Sequence, residues 1–214
     1  MKIYIKTLLI FILTFAIGVV LRVYLQRIIP GQYVEASFKL YLLLSFSLVI
    51  SICIKERSLL FQRISLGSYF WILLVVLLLL FGINNYLMVR YSTDQYYSET
   101  LKAAVVINTI SYLISSIAEE VVYRGFVQTY INENTTSNSF VISKGNLFAT
   151  ILFFLSHIAF FTVMDKVFAI TSLINVLVFS LIAGYLLERT KNIVVPVVLH
   201  VVINLLHIFI QVKF

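Results

Sequence analysis

Apolar residues follow one another along most of the chain in unbroken runs, with none of the strict alternation of a half-buried strand. Runs long enough to cross a bilayer, about 20 residues each, cover roughly 3–25, 38–54, 69–89, 102–123, 146–163, 168–187 and 193–212. The pattern predicts seven membrane spans, with eight as the alternative count. Lipid offers the backbone no hydrogen bonds, and continuous apolar runs do not suit a membrane barrel, whose strands alternate. The expected fold class is all-α, a polytopic transmembrane helical bundle.

Polar and turn-forming residues punctuate the runs: Pro30-Gly31, Lys55-Glu56-Arg57, Ser92-Thr93-Asp94-Gln95, the stretch from Asn132 to Ser139, Asp165-Lys166, and Glu188 to Asn192. None of these connections is long enough for a second domain, and the chain shows no tandem repeat, glycine-rich phosphate loop or low-complexity tail. One membrane-embedded domain over residues 1–214 is expected. The first run is too long for a signal sequence and is followed by Arg22 and Val23-Tyr24-Leu25 with no small-x-small cleavage site, so it reads as an uncleaved span. With seven spans, Lys and Arg divide almost evenly between the two sides, and the densest cluster, Lys55 to Arg63, favours an N-terminus inside.

Composition agrees with this pattern. The chain is 61% hydrophobic and 12% charged, against about half and about a quarter in soluble domains, which argues against a water-soluble fold. A net charge of +7 comes from Lys and Arg scattered between apolar runs, not from a basic stripe with interleaved aromatics, so no nucleic-acid partner is expected and the bilayer itself is. Cys53, the single cysteine, lies inside an apolar run and leaves no intramolecular disulfide and no thiolate metal cluster.

Ionisable groups inside spans change the picture, because a charge at mid-membrane costs about 2.5–3.5 kcal/mol on insertion scales and marks a functional candidate. The fourth run ends Ser115-Ser116-Ile117-Ala118-Glu119-Glu120-Val121-Val122-Tyr123-Arg124. Glu120 and Arg124 are four apart and share a helix face, whereas Glu119 is turned about 100° from Glu120. Taken alone, this cluster fits an interfacial helix end equally well. His157 stands in the apolar run from Leu147 to Val163, and His200 and Asn204 project from one face of the last run. Each of these alone is better explained by packing and helix-to-helix hydrogen bonding. Together they supply a general base, a water-positioning group, a charge clamp and donors for an oxyanion, an inventory sufficient for hydrolysis without a Ser or Cys nucleophile.

The three motifs, Glu119-Glu120-x-x-x-Arg124, Phe153-x-x-x-His157 and His200-x-x-x-Asn204, resemble the signature of the CAAX protease and bacteriocin-processing family, also called CPBP or Abi. The flanking Gly125, Ala183-Gly184-Tyr185-Leu186-Leu187 and Asn192-Ile193-Val194-Val195-Pro196 look like that family too, and the likeness covers about 101–210. The resemblance implies a type II prenyl-endopeptidase-like fold in a cell membrane, the prokaryotic plasma membrane, with a site sunk in the bilayer and opening to the cytosol. It implies that Glu119 with His157 activates water, that Glu120 with Arg124 orders the site and holds the substrate backbone, and that His200 and Asn204 stabilise the oxyanion. The implied partner is a peptide or lipidated protein, such as a prenylated C-terminus or the leader of a small peptide. His207 falls outside the pattern and reads as a packing residue. No cofactor is certain. The family has been described as metalloprotease-like, yet a His-Glu-x-x-His zinc helix is absent, while Glu119, His157 and His200 remain able to converge. The rival reading is a non-catalytic immunity or scaffold protein that uses the same polar cluster to bind a partner.

Overall fold

The computed structural model describes residues 1–91, 105–135 and 142–213. The polar stretch Ser92–Gln95, the start of the fourth apolar run at 102–104 and residues 136–139 lie outside them. In chain order the helices are α1 (Lys2–Leu25), α2 (Gly31–Cys53), α3 (Ser68–Tyr91), α4 (Val105–Asn134), α5 (Lys144–Ser156), the single turn α6 (Phe160–Val163), α7 (Lys166–Thr190) and α8 (Val194–Lys213). Among the described residues seven helices are long and apolar enough to cross a membrane, α5 and α6 together forming one of them. Among the described residues there is no strand, only an isolated bridge between Phe61 and Asn192. The chain is an all-α, multi-pass membrane protein.

Two spans differ from the expected limits. The second helix starts at Gly31 instead of 38, because the charges that interrupt its hydropathy are paired: Glu35 with Arg22 of α1, and Lys39 with Glu119 of α4. The fourth continues past 123 to Asn134, so the Glu119 to Arg124 cluster is not an interfacial helix end. It lies at mid-span, where the α-helix Val105–Glu120 passes into a π-helix, Val121–Gln128, before returning to α-helix at Thr129–Asn134. Such i→i+5 segments are rare and concentrate at functional sites. The Thr129 hydroxyl donates to the Arg124 carbonyl at 2.8 Å, which helps to satisfy a backbone that no longer follows the α-helical pattern.

Burial rises from 6% of the apolar stretch of α1 to 44% in α7 and in α8, so the last two helices form the centre and α1 the lipid-facing edge. Apolar side chains gain little by leaving lipid for protein, and close backbone approach and polar ties must hold membrane helices together. Both occur between α4, α5 and α7. Arg124 donates to the Ser180 carbonyl and hydroxyl at 3.1 and 3.0 Å, Gln128 to the Gly184 carbonyl at 2.9 Å, and Asn132 to Glu188 at 3.2 Å. Each pair is separated by the same 56 positions, so two parallel helices match polar residues rung by rung at four-residue spacing. Asn146 of α5 lies against Gly184 and donates to the Leu181 carbonyl at 3.1 Å.

The connections on the N-terminal side are tied to one another. Gln62 N–H donates to the Lys191 carbonyl and Ile193 N–H to the Leu60 carbonyl, both at 2.9 Å, while Leu60 is buried with Leu187 and Ile193. Glu133, near the end of α4, accepts from the backbone N–H groups of Lys55 and Glu56 at 3.2 and 2.9 Å. The 54–67 connection therefore lies across the helix ends on that side.

A Cβ at Gly184 would collide with the Asn146 side chain, whereas one at Gly82 of α3 would make an ordinary contact of 3.6 Å with Leu206. Gly184→Ala is expected to destabilise the protein by about 1–3 kcal/mol through overpacking, and Gly82→Ala to leave stability unchanged or raise it. Thermal unfolding of both variants in detergent checks the contrast.

Candidate active site

Adjacent carboxylates on one helix end up in different surroundings. Glu120 is fully buried. Its Oε1 accepts from His200 Nδ1 at 2.8 Å, and its Oε2 lies 3.4 Å from Arg124 Nε, also fully buried. Glu119, turned away from this pair, accepts from Lys39 Nζ at 2.6 Å and from Ser115 Oγ at 2.5 Å, both on Oε1. Its Oε2 stands 3.9 Å from His200 Nε2. A carboxylate can only accept, so Nδ1 of His200 carries the hydrogen on the Glu120 side and Nε2 is the atom presented to Glu119.

His157 follows the last turn of α5, where the helix stops. Its Nδ1 lies 2.7 Å from the Phe153 carbonyl, which fixes Nδ1 as the donor and makes Nε2 of the neutral ring an acceptor. Phe153 and Phe160 flank the imidazole with ring centroids 4.5 and 5.3 Å away. Asn204, one turn beyond His200 on α8, donates to the Ser116 hydroxyl at 2.9 Å.

Glu119, His157, His200 and Asn204 line one cavity of about 170 Å³. Four of the six residues singled out from sequence thus share a chamber. Glu120 and Arg124 do not line it; they stand behind His200, with the Arg124 guanidinium 5.1 Å from the Phe153 ring centroid. Both side chains of this pair are fully buried. The chamber reaches Met164, just before α7, and Ser172 and Asn84, so it lies in the half of the bundle remote from the N-terminal connections.

Sequence reading overlooked Lys39 and Ser115, which hold Glu119. Lys39 is a cation inside an apolar run and could have been flagged by the rule that flagged Glu119. It also left His207 to packing, yet His207 lines the chamber and its Nδ1 lies 2.9 Å from Asn85 Oδ1. The donor set does not fit zinc: Lys39 and Ser115 hold Glu119 Oε1, and among the described residues no three His, Cys, Asp or Glu side chains are grouped to hold a metal ion.

Seven spans around a chamber of carboxylate, imidazole and amide groups define a polytopic membrane protein with a polar site inside its helical bundle. The family model described as Type II CAAX prenyl endopeptidase Rce1-like matches residues 100–206, half of the chain, and the protein belongs to that family of membrane peptidases. No curated protein and no solved structure matches the chain.

Removing one partner of a buried ion pair leaves the other charge uncompensated, at about 3–5 kcal/mol. Arg124→Met is therefore expected to lower the unfolding midpoint sharply. Ser180→Ala, which leaves the Ser180 carbonyl to Arg124, is expected to cost only about 1 kcal/mol, a difference that detergent thermal melts resolve.

Proposed function

We propose that the protein is an intramembrane endopeptidase that hydrolyses a peptide bond of a membrane-presented substrate with a water activated by Glu119 and His157. The observation that carries this reading is the division of labour on Glu119, a residue that lines the chamber: Lys39 and Ser115 occupy Oε1, while Oε2 stands 3.9 Å from His200 Nε2. A water held by Oε2 and by the acceptor nitrogen of His157 loses a proton as it attacks the scissile carbonyl. His200 donates from Nε2 to the developing oxyanion in its imidazolium form, with Nδ1 donating to Glu120. Arg124 pairs with Glu120 and so holds in place the carboxylate that orients the His200 ring. Asn204 is held by Ser116 and supplies a second donor near the oxyanion. The proton taken by the Glu119–His157 pair then passes to the leaving amine. No step is assigned to a metal.

The family supports a lipidated C-terminus of the Cys-aliphatic-aliphatic-any type as the substrate class, with the leader of a small peptide as the alternative. A cytosolic mouth also sets the orientation. Because the chamber lies away from the N-terminal connections, the N-terminus then faces the opposite side, against the weight of the Lys55 to Arg63 cluster.

The test is cleavage of prenylated and leader peptides by purified protein in liposomes. Glu119→Gln and His157→Ala are expected to fold and to lose at least about 10²-fold in kcat. His200→Ala is expected to lose about 10²–10³-fold, and a chelator to leave the parent rate unchanged. Full turnover by folded Glu119→Gln would end the reading, and a parent without activity on either class would favour the immunity or scaffold alternative.

A further inference from the structure

The chamber wall also includes Asn84 and Asn85 of α3, Tyr112 of α4, Ser172 of α7 and His207 of α8, which form a polar arm of its lining beside the catalytic candidates. Asn84, Asn85 and His207 lie outside the residues that the family model matches. Asn84 Nδ2 donates to Ser172 Oγ at 3.0 Å, and Asn85 Oδ1 lies 2.9 Å from His207 Nδ1. These bonds tie α3 to α7 and α8. They also leave the two neighbouring amides with complementary groups: Asn84 has used a donor and keeps its carbonyl oxygen, and Asn85 has used its oxygen and keeps its donor. One acceptor beside one donor is what the N–H and C=O of a peptide unit require.

We infer that this arm is a subsite that binds the main chain of the substrate next to the scissile bond, with Asn84 Oδ1 accepting from a substrate N–H and Asn85 Nδ2 donating to a substrate carbonyl. The inference rests on the peptidase reading for its substrate class. A prenyl or acyl tail in the arm would bury the amide and hydroxyl groups without partners, an unfavourable exchange. The residues named here carry no formal charge when His207 is neutral, so they offer little to a phosphate headgroup or an acidic side chain. An extended peptide presents a donor and an acceptor at every residue and satisfies both asparagines while its side chains meet Phe81 and Met164.

The experiment measures equilibrium binding of a fluorescent farnesylcysteine peptide with a free C-terminus to full-length protein in nanodiscs. Glu119→Gln serves as the background so that nothing is cleaved. Asn84→Leu with Ser172→Ala replaces both partners of one tie by apolar groups, a change that is nearly neutral for packing, and melting confirms that the fold is kept. The expected result is a Kd about tenfold higher, as for the loss of a peptide hydrogen bond. In the background protein, replacing one substrate amide by an ester is expected to raise Kd by a similar factor, and the double variant to be insensitive to that ester. A Kd within twofold of the background, equal sensitivity to the ester in both proteins, or no binding by the background overturns the subsite. Binding that follows the expected pattern while the parent with Glu119 intact fails to cleave sinks the peptidase reading and leaves the subsite standing.

Discussion

The arrangement depends on a charge kept where charge is costly. Glu120 is fully buried at mid-span, and only the Arg124 guanidinium and the His200 imidazole make its carboxylate tolerable there. Satisfying a buried pair requires good geometry and further hydrogen bonds on both partners. For Arg124 those come from Ser180, which in turn bonds Thr150 at 3.0 Å and so brings α5 into the same network. Holding one carboxylate therefore fixes the relative positions of α4, α5, α7 and α8, the helices that carry the three sequence motifs. Site and scaffold are specified by the same bonds.

The π-helix gives this network its shape. Leaving α-helical geometry after Glu120 lets Arg124, Gln128 and Asn132 all meet α7, rung by rung, while Glu119 one residue earlier still faces the chamber. Gly125 allows this turn to lie against α2, since a Cβ there would come within 2.8 Å of Ile50. α2 in turn brings Lys39 to Glu119. The local departure from α-helix thus connects the buried pair to the cation that holds the other carboxylate.

Much of this was legible in sequence, for reasons that differ by level. Span number and helical class follow from run length and lipid's lack of hydrogen bonds, and they needed no partner information. His157, His200 and Asn204 stood out because polar groups are rare in such runs. Span limits were less legible. A hydropathy window reads Glu35, Lys39 and Arg124 as signs of water, when each is neutralised by a residue distant in sequence. The π-helix left no mark that periodicity could show. The ladder of Arg124, Gln128 and Asn132 against Ser180, Gly184 and Glu188 was present as two four-residue repeats, but its register depends on which helices neighbour each other. Lys39 and Asn84 to Asn85 belong to the first half of the chain, which carries no motif, and the fold brings Lys39 to Glu119 and the two asparagines to the chamber.

The paired glutamates show why adjacency in sequence is useful here. On an α-helix, neighbours point about 100° apart, so two consecutive carboxylates can take different partners even while both approach His200. Glu120 is sealed behind His200 and, held between Arg124 and imidazole, has no open side from which to take a proton from a substrate-bound water. Glu119 keeps one oxygen on Lys39 and Ser115 and presents the other to the chamber. The two carboxylates are thus chemically unequal although the sequence writes them identically. The Glu-Glu pair therefore places a reactive carboxylate and the anchor for its oxyanion donor at a fixed angle on one rigid element.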